Sequence, residues 1–333
     1  MTEQEQYAYR GYWGELARTL WYRTPLVRDV YIALRKMLDF PTHLWNYQTK
    51  VHLLETRVKV YRLQESGIQV PERPTPRLIV SLTSHPARIA QSYAAVYTLL
   101  TQSLKPDKVV MWLAESQFPC KEHDLPYELL HLRQFGLSIQ WCEDLKSLKK
   151  IIPSIKACPD DIIVVADDDI LYPVDWLKIL YTHYQKDPSC IHGNRSFLCF
   201  WNNACDADLG TNVAESGVPS LLCVPSAGMG VLYPPHSLHE DVVRSDMAME
   251  VAPREDQGWC WVMAVRKRTR IHIADDEVDL KMLCLAGSIA GRKIGFSAYP
   301  DLMKTYPDVL EILKEEWRAV STAPCPPFQI LDF

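Results

Sequence analysis

The chain has 333 residues, of which 47% are apolar and 23% are charged, and its formal net charge is −5. This length and composition predict a folded protein with a sizeable core, built as one large domain with an appendage or as two modest domains. A protein that binds nucleic acid usually carries a basic excess, so nucleic acid is not an expected partner. The ten cysteines are scattered without the spacing of a metal site, which indicates free thiols in a reducing compartment. No apolar run reaches the roughly 18 residues of a membrane span, and the N-terminus lacks a signal peptide pattern, so a cytoplasmic protein is expected.

Residues 1–70 predict a helical N-terminal extension. Aromatic and basic residues interleave over residues 7–23, and a helix is predicted from Leu26 to Leu38. Apolar residues then recur at spacings of three and four, which is typical of a helix that pairs through a seam. The seam consists of Leu44, Tyr47, Val51, Leu54, Val58 and Tyr61. Interleaved aromatic and basic residues suit a membrane interface. We therefore expect peripheral contact with the inner face of the cytoplasmic membrane and a homo-oligomer built on the seam, while packing of the seam onto the rest of the chain is an equal alternative.

From Arg77 onward, short apolar runs alternate with helical patterns. Four strands are predicted at Leu78–Leu82, Lys108–Leu113, Leu137–Trp141 and Asp161–Ala166. The helices predicted between them are Ala90–Gln102, Pro126–Phe135 and Ser147–Cys158. Such alternation predicts an α/β fold with a mostly parallel sheet flanked by helices, here over residues 77–320. Ligands of these sheets bind beyond the carboxyl ends of the strands. The polar residues at those ends are Thr83 and Ser84, Glu115, and an acidic run from Asp167 to Asp169.

The acidic run follows the fourth predicted strand directly. Three adjacent carboxylates repel one another unless a cation or solvent offsets the repulsion. Asp167 and Asp169 are two positions apart and can converge on one ion, while Asp168 points elsewhere in an extended backbone. A hard divalent cation prefers oxygen ligands and takes the rest of its shell from a diphosphate. We predict that Asp169 and Asp167 bind a divalent metal ion and a ribose, with Asp168 in support; the alternative is an acidic turn or a helix N-cap.

Three sets of residues together resemble the GT-A glycosyltransferases related to family two, in the branch found in bacterial capsule, O-antigen and lipooligosaccharide synthesis. They are residues 79–84 with 98–110, residues 160–170, and residues 228–235 with 253–259. The resemblance implies a Rossmann-like GT-A fold, a nucleotide-sugar donor, a saccharide or lipid-linked acceptor, and Mg²⁺ or Mn²⁺ held by Asp169 and Asp167. Members of this family usually invert the anomeric carbon. They also carry an acidic residue after the second strand that recognises the nucleobase of the donor. Glu115 is a loose match to it.

Glu255 and Asp256 precede a predicted amphipathic helix. An inverting transfer needs a base that takes the proton of the acceptor hydroxyl. The resemblance points to Asp256 for this role, with Glu255 beside it. The alternative is a pair of carboxylates that only interact with the helix dipole.

Further candidates lie in loops at the same edge of the predicted sheet. The donor-binding candidates are Thr83, Ser84, Arg88, Glu115, Lys150, Asp167, Asp168, Gly228 and Gly230. Arg88 and Lys150 could meet a diphosphate or be ordinary solvated charges. The glycines let the backbone approach a ligand or simply form a turn. His272, after a strand predicted at Thr269–Ile271, could be a late metal ligand or a structural histidine. Residues 201–219 are polar and turn-rich, which is typical of an acceptor-facing loop or of a long surface insertion.

Two other functions compete with glycosyl transfer. A nucleotidyltransferase usually has a glycine-rich loop after its first strand, and residues 82–86 contain no glycine. A non-catalytic scaffold in a polysaccharide assembly complex would need neither the complete acidic run nor Glu255 and Asp256.

Overall fold

The computed structural model describes residues 48–201, 207–213, 218–253, 255–274, 283–284 and 299–321. The chain divides into two compact units, residues 1–54 and 55–333. In the first unit the described residues, 48–54, are helical, and this helix (α1) spans residues 48–61. The predicted helix Leu26–Leu38 and the seam residues Leu44 and Tyr47 lie outside the described residues. The second unit holds the sheet and the candidate site.

The second unit contains short strands and helices in alternation. The strands are β1 Leu78–Thr83, β2 Lys108–Ala114, β3 Leu137–Cys142, β4 Ile162–Val165, β5 Ile170–Leu171, β6 Ile191–Gly193, β7 Ser196–Trp201, β8 Ala207–Val213, β9 Cys223–Pro225, β10 Val231–Tyr233, β11 Ile271–Ile273 and β12 Leu283–Cys284. The helices are α2 Ile89–Leu100, α3 Tyr127–His131, α4 Ile152–Ala157, α5 Trp176–Lys186, α6 Ser245–Val251, α7 Asp256–Lys267, α8 Tyr299–Thr305 and α9 Pro307–Ser321.

Seven of these strands form one sheet in the order β11-β6-β10-β4-β1-β2-β3. β1 pairs in parallel with β2 and β4, β2 pairs in parallel with β3, and β6 pairs in parallel with β11. β10 lies antiparallel between β4 and β6. The predicted class, an α/β fold with a mostly parallel sheet flanked by helices, is confirmed. The chain adds β2 and β3 on one side of β1 and then returns to place β4 on the other side, so the topological switch point lies between β1 and β4.

The central strands are buried on both faces. Leu78, Ile79, Val80 and Leu82 of β1 are at most 1% exposed, and every residue of β4 is buried. Successive side chains of a strand point to opposite faces, so helices must cover the sheet on both sides. This burial explains why β1 and β4 read as continuous apolar runs in the sequence.

Some predicted elements have different bounds in the structure. The helix predicted at Ser147–Cys158 is a 3₁₀ turn, Lys146–Lys150, followed by α4. Pro153 in the first turn of α4 has no N–H to donate and its ring clashes with a carbonyl of the preceding turn, which prevents one continuous helix. The helix predicted at Pro126–Phe135 is α3 followed by the 3₁₀ turn Leu132–Phe135.

The bounds of one predicted strand were wrong. The strand predicted at Thr269–Ile271 is β11, Ile271–Ile273, so His272 lies within the strand, because these three residues align with β6. Within residues 201–219, expected as a loop or a surface insertion, residues 207–213 form β8, which pairs with β7 despite its polar sequence. Among the described residues, no helix has the length and apolar character needed to cross a bilayer.

Candidate functional site at the carboxyl edge of the sheet

The carboxyl ends of β1 and β4 lie side by side at the switch point, and polar residues follow both strands. Ser84 follows β1, and its hydroxyl donates to Oδ2 of Asp168 at 2.5 Å. Asp168 is only 1% exposed, in the turn that follows β4. In open α/β sheets the crevice outside the carboxyl ends at a switch point is where ligands bind. The structure therefore joins two of the predicted donor-binding residues at the expected place.

Arg88, next to the N-terminus of α2, bridges two of the three adjacent carboxylates. One terminal nitrogen donates to Oδ2 of Asp169 at 2.6 Å, and the other lies 2.9 Å from Oδ1 of Asp168. The planar guanidinium suits such paired contacts with carboxylates. The Arg88 side chain is 40% exposed, so the cation lies at the border between the acidic run and solvent.

The surroundings of Asp168 disfavour the ionised form of its carboxyl group. Burial raises the pKa of Asp168 to about 6, against the opposing effects of Arg88 and the Ser84 hydrogen bond. The neighbouring carboxylates of Asp169 and Asp167 add to the increase. The repulsion predicted from the sequence is therefore present, and Arg88 offsets part of it.

Lys150 connects the acidic run to a carboxylate from a distant part of the chain. Its Nζ donates to Oδ1 of Asp167 at 2.7 Å and lies 3.0 Å from Oδ2 of Asp256, the first residue of α7. Lys150 is 4% exposed. Burial lowers the pKa of Lys150, but Asp167 and Asp256 more than reverse this effect, so its pKa lies above the ordinary value for lysine. Lys150 is therefore a buried, charged residue.

The turn that contains the candidate glycines reaches the same edge. The Tyr172 hydroxyl accepts a hydrogen bond from the Asp167 N–H at 2.7 Å and donates to the Gly228 carbonyl at 3.1 Å. Gly230 has φ = +99°, and a Cβ there would lie 2.5 Å from the Trp176 ring. Gly228 is thus brought beside Asp167, whereas Gly230 is required by the backbone conformation and by packing against Trp176.

The remaining candidates make other contacts. Thr83 donates its hydroxyl to the Trp112 carbonyl at 2.7 Å, within the sheet. Glu115 is on the surface, where it pairs with Lys121 at 3.2 Å. Glu255 immediately precedes α7, and its carbonyl accepts from the N–H of Trp259. His272 packs in a group of three imidazoles, 5.2 Å from His183 and 5.5 Å from His192 between ring centroids.

Sequence reasoning missed Gln117, Asp144 and Tyr172, whereas Lys149 was noted beside Lys150 as a basic residue that could meet a diphosphate. Lys149 is 2% exposed, and its Nζ donates to the Ser84 carbonyl and to Oε1 of Gln117, both at 3.2 Å. Gln117 in turn donates to Asp144 at 3.2 Å. Gln117 and Asp144 follow the carboxyl ends of β2 and β3, and this position in the sequence could have identified them as residues of the site. Nothing in the sequence around Tyr172 indicated its bridging role.

We name Ser84, Arg88, Lys150, Asp167, Asp168, Asp169 and Asp256 the switch-point group. It contains four carboxylates and two cations, which leaves two negative charges in excess. Within the described parts of the chain, no three His, Cys, Asp or Glu side chains are placed to hold a metal ion between them. Mg²⁺, however, typically takes only one or two carboxylates and completes its shell with water and substrate phosphates. The donor set and the excess charge fit a divalent ion of that kind.

Comparison with known proteins yields similarity in fold alone. No protein-family model and no curated protein sequence matches this chain. Among solved structures, residues 1–349 of S. aureus TarS match at 10% identity over 59% of this chain and 57% of that chain, with a TM-score of 0.38. The mannosyltransferase PcManGT from Pyrobaculum calidifontis, in complex with GDP-Man and Mn²⁺, matches at 12% identity over 91% of this chain and 89% of that chain, with a TM-score of 0.38.

A third matching structure is that of a synthetase, not of a glycosyltransferase. The CMP:2-keto-3-deoxy-manno-octonic acid synthetase, complexed with CTP, matches at 11% identity over 59% of this chain and 87% of that chain, with a TM-score of 0.36. The chain spans less than two thirds of the TarS fragment. Similarity at this level does not distinguish glycosyl transfer from nucleotidyl transfer, so the function has to be argued from the switch-point group.

Proposed function

We propose that this protein is a glycosyltransferase of the GT-A type, which transfers a sugar from a nucleotide-sugar donor to a hydroxyl group of a saccharide or lipid-linked acceptor. The observation that carries the proposal is the position of Asp256. This carboxylate, far along the chain from the acidic run, shares the Lys150 ammonium with Asp167 at the switch point. A candidate base and a candidate donor site thus lie together.

The donor side of the proposal rests on the acidic run and its surroundings. Two excess negative charges at the switch point suit a divalent cation that also binds a diphosphate. Asp169 and Asp167 would hold Mg²⁺ or Mn²⁺, which when bound would neutralise charge on the departing nucleoside diphosphate. Arg88 is 40% exposed at this position, so its guanidinium can also meet a phosphate. Ser84 and Asp168 fix the turn that carries these groups.

The acceptor side of the proposal rests on Asp256. Its Oδ2 lies against Lys150, and its side chain is 13% exposed, so the carboxylate can receive a proton from a hydroxyl group. The acceptor oxygen would attack the anomeric carbon while its proton passes to Asp256. The bond from that carbon to the diphosphate oxygen would break, and the nucleoside diphosphate would leave on the opposite face. This order of bond changes inverts the anomeric configuration.

Nucleotidyl transfer is a weaker candidate on the same residues. Where the acceptor in that reaction is a sugar phosphate, the attacking oxygen is already anionic and needs no base, so the role proposed for Asp256 would have no purpose. The segment after β1 also lacks the glycine-rich loop that commonly cradles a triphosphate.

A donor screen tests the proposal directly. UDP-, GDP- and CMP-sugars would be incubated with the protein and Mg²⁺ or Mn²⁺, with parallel samples in EDTA. We expect metal-dependent release of the nucleotide from one class of donor. Release of pyrophosphate from a nucleoside triphosphate and a sugar phosphate would instead indicate nucleotidyl transfer. Turnover of neither substrate type would favour a scaffold.

The proposed setting of the reaction is surface polysaccharide synthesis at the inner face of the cytoplasmic membrane. Residues 1–70 would provide the contact with the membrane and the oligomer interface. At the described end of the seam, Leu54 and Val58 are 63% and 49% exposed, which leaves them available to an oligomer. The Tyr61 ring instead packs against Tyr127 and His131 of the same chain, which supports the alternative, packing onto the rest of the chain, for that residue. Liposome flotation with and without residues 1–40 tests the membrane contact, and equal flotation of both proteins would contradict it. Light scattering tests the oligomer, and a monomer at micromolar concentration would contradict that part.

A further inference from the structure

Lys150 holds an unusual position for a lysine. Its ammonium group is 4% exposed and contacts two carboxylates that come from different parts of the chain, Asp167 after β4 and Asp256 at the start of α7. A buried charge is tolerated only when it is paired and hydrogen-bonded. Two oxygens that contact one nitrogen at these distances lie within about 6 Å of each other. Lys150 therefore sets the separation between Asp167 and Asp256.

The backbone of Lys150 is fixed independently of its side chain. The Ser81 hydroxyl in β1 donates to the Lys150 carbonyl at 2.6 Å and lies 2.8 Å from the Ser154 hydroxyl, which accepts from the Trp112 ring nitrogen at 2.7 Å. This buried chain of hydrogen bonds connects the 3₁₀ turn Lys146–Lys150 to β1 and β2. The ammonium group is thus held from the central strands of the sheet, not from a mobile surface loop.

Among the described residues, Lys150 is the side-chain partner of Asp256. Asp256 begins α7, where the helix dipole favours a carboxylate but does not fix its rotamer. The Lys150 contact at 3.0 Å supplies the direction. On sequence grounds Lys150 was a candidate for binding the donor diphosphate, but the two carboxylates already surround its ammonium group.

We propose that Lys150 is a positioning residue that orients the Asp256 carboxylate toward the donor site, and that it does not itself bind the donor. This inference rests on the proposed function, because it assigns Lys150 a part in the same reaction. Its substitution should lower turnover through Asp256, and the lost turnover should not appear as weaker donor binding.

A double-mutant cycle tests the proposal. Lys150→Met, Asp256→Asn and the double variant would be compared with wild type in kcat and in the KM for the donor. We expect Lys150→Met to lower kcat about a hundredfold, the scale of a small misplacement of a reacting group, with little change in donor KM. In the Asp256→Asn background the same substitution should change kcat less than about threefold, because residues that act as a unit are not additive. Lys150→Arg keeps the charge and should recover part of the lost kcat.

Thermal unfolding supplies a second readout in case Lys150→Met folds poorly. Removal of the lysine leaves two partly buried carboxylates without their shared cation, so the Tm should fall. Asp256→Asn should restore part of that loss in the double variant. Lys314→Met, which breaks a surface pair with Glu311, is the matched control and should change neither kcat nor Tm appreciably.

The outcomes separate the two proposals. Additive effects on kcat, or a raised donor KM with unchanged kcat in Lys150→Met, would overturn the positioning role while leaving glycosyl transfer intact. Additive losses of Tm would show that Lys150 and Asp256 do not interact, which also overturns it. If wild type turns over no nucleotide sugar while the Tm values remain non-additive, the proposed function has failed together with the positioning role, and the contact alone is retained.

Discussion

The switch-point group and the three imidazoles of His183, His192 and His272 are both clusters of titratable side chains, yet they manage charge in different ways. In the switch-point group, ionised carboxylates share Arg88 and Lys150 as counter-ions. His192, which is 1% exposed, has instead a backbone carbonyl partner, that of Asp187 at 2.8 Å. Burial lowers the pKa of His192 to about 4, so it stays neutral.

The switch-point group therefore stabilises charged side chains, whereas the imidazole cluster favours the neutral form of His192. Partly buried charges at the edge of a sheet are tolerated only if nearby side chains of opposite charge pair with them. The excess negative charge that remains in the switch-point group is available to a ligand. The imidazoles lie on β6, β11 and α5, where His183 and His272 stack at 27°. Burial lowers the pKa of both His192 and His272, which favours their neutral forms. The contrast favours the switch-point group as the functional site.

The largest expected effect comes from removing Asp169, one of the two carboxylates proposed to bind the metal. Asp169→Ala should abolish transfer and leave the fold intact, because it removes an ion ligand and also relieves repulsion within the acidic run. Chelation of the metal with EDTA should have the same effect on wild type. Activity assays and circular dichroism check both. Transfer that survives either treatment would show that the metal assignment is wrong.

The next largest effect should come from Asp256→Asn, which is nearly isosteric but cannot take a proton. We expect turnover to fall about a hundredfold or more, the scale of general-base removal, while calorimetry still detects donor binding. Asp246→Asn makes the same change at the start of α6, where the side chain is 74% exposed, and should leave turnover unaltered. Weaker donor binding with normal turnover in Asp256→Asn would mean that the base lies elsewhere.

The imidazoles give a prediction on pH dependence. The pKa of His192 is about 4 in the folded protein, below its ordinary value of 6.5, so unfolding takes up a proton between these values. Its contribution to stability is complete above pH 6.5 and is lost as the pH falls to 4, by about 3 kcal/mol. Urea unfolding should show His192→Gln gaining this amount relative to wild type over that interval. A constant difference would contradict a neutral His192, and exposed His123→Gln is the control.

Asp168 should give a dependence of opposite sign. Its pKa is raised from 3.8 to about 6, so the folded protein retains a proton that the unfolded chain releases. Acidification from pH 6 to 4 therefore favours the folded state by about 3 kcal/mol. Relative to wild type in EDTA, Asp168→Asn should lose about this amount over the interval. If Asp168→Asn and His192→Gln shift in the same direction, the contrast between the two clusters is incorrect.

The sequence predicts the central part of this fold well. Strands β1 to β4 appear as apolar runs because both of their faces are buried, and the polar residues after β1 and β4 mark the switch point. Local pattern cannot predict β10, a three-residue strand that runs antiparallel between β4 and β6. Its place depends on hydrogen bonds between segments that are distant in the chain.

The site was predictable in its residue types and less so in its contacts. Asp256 was selected by resemblance, but its link to Asp167 through Lys150 depends on how α7 packs. Lys150 was expected to be exposed or to meet phosphate, because a lone lysine in sequence gives no sign of two buried carboxylate partners. Glu115 was expected to face a base, but the chain turns into a 3₁₀ segment after β2 and leaves Glu115 on the surface with Lys121.

The chain between β6 and β10 leaves and re-enters the main sheet at adjacent points. The Asn194 N–H donates to the Gly230 carbonyl at 3.3 Å, and the Ser226 N–H donates to the Arg195 carbonyl at 2.8 Å. Strands β7, β8 and β9 form a separate small sheet within this excursion. Since its two ends are already side by side, insertions or deletions in the β7–β8 hairpin carry little loop-closure cost. Changes in the length and composition of this hairpin should therefore leave the pairing of β6 with β10 in the main sheet intact.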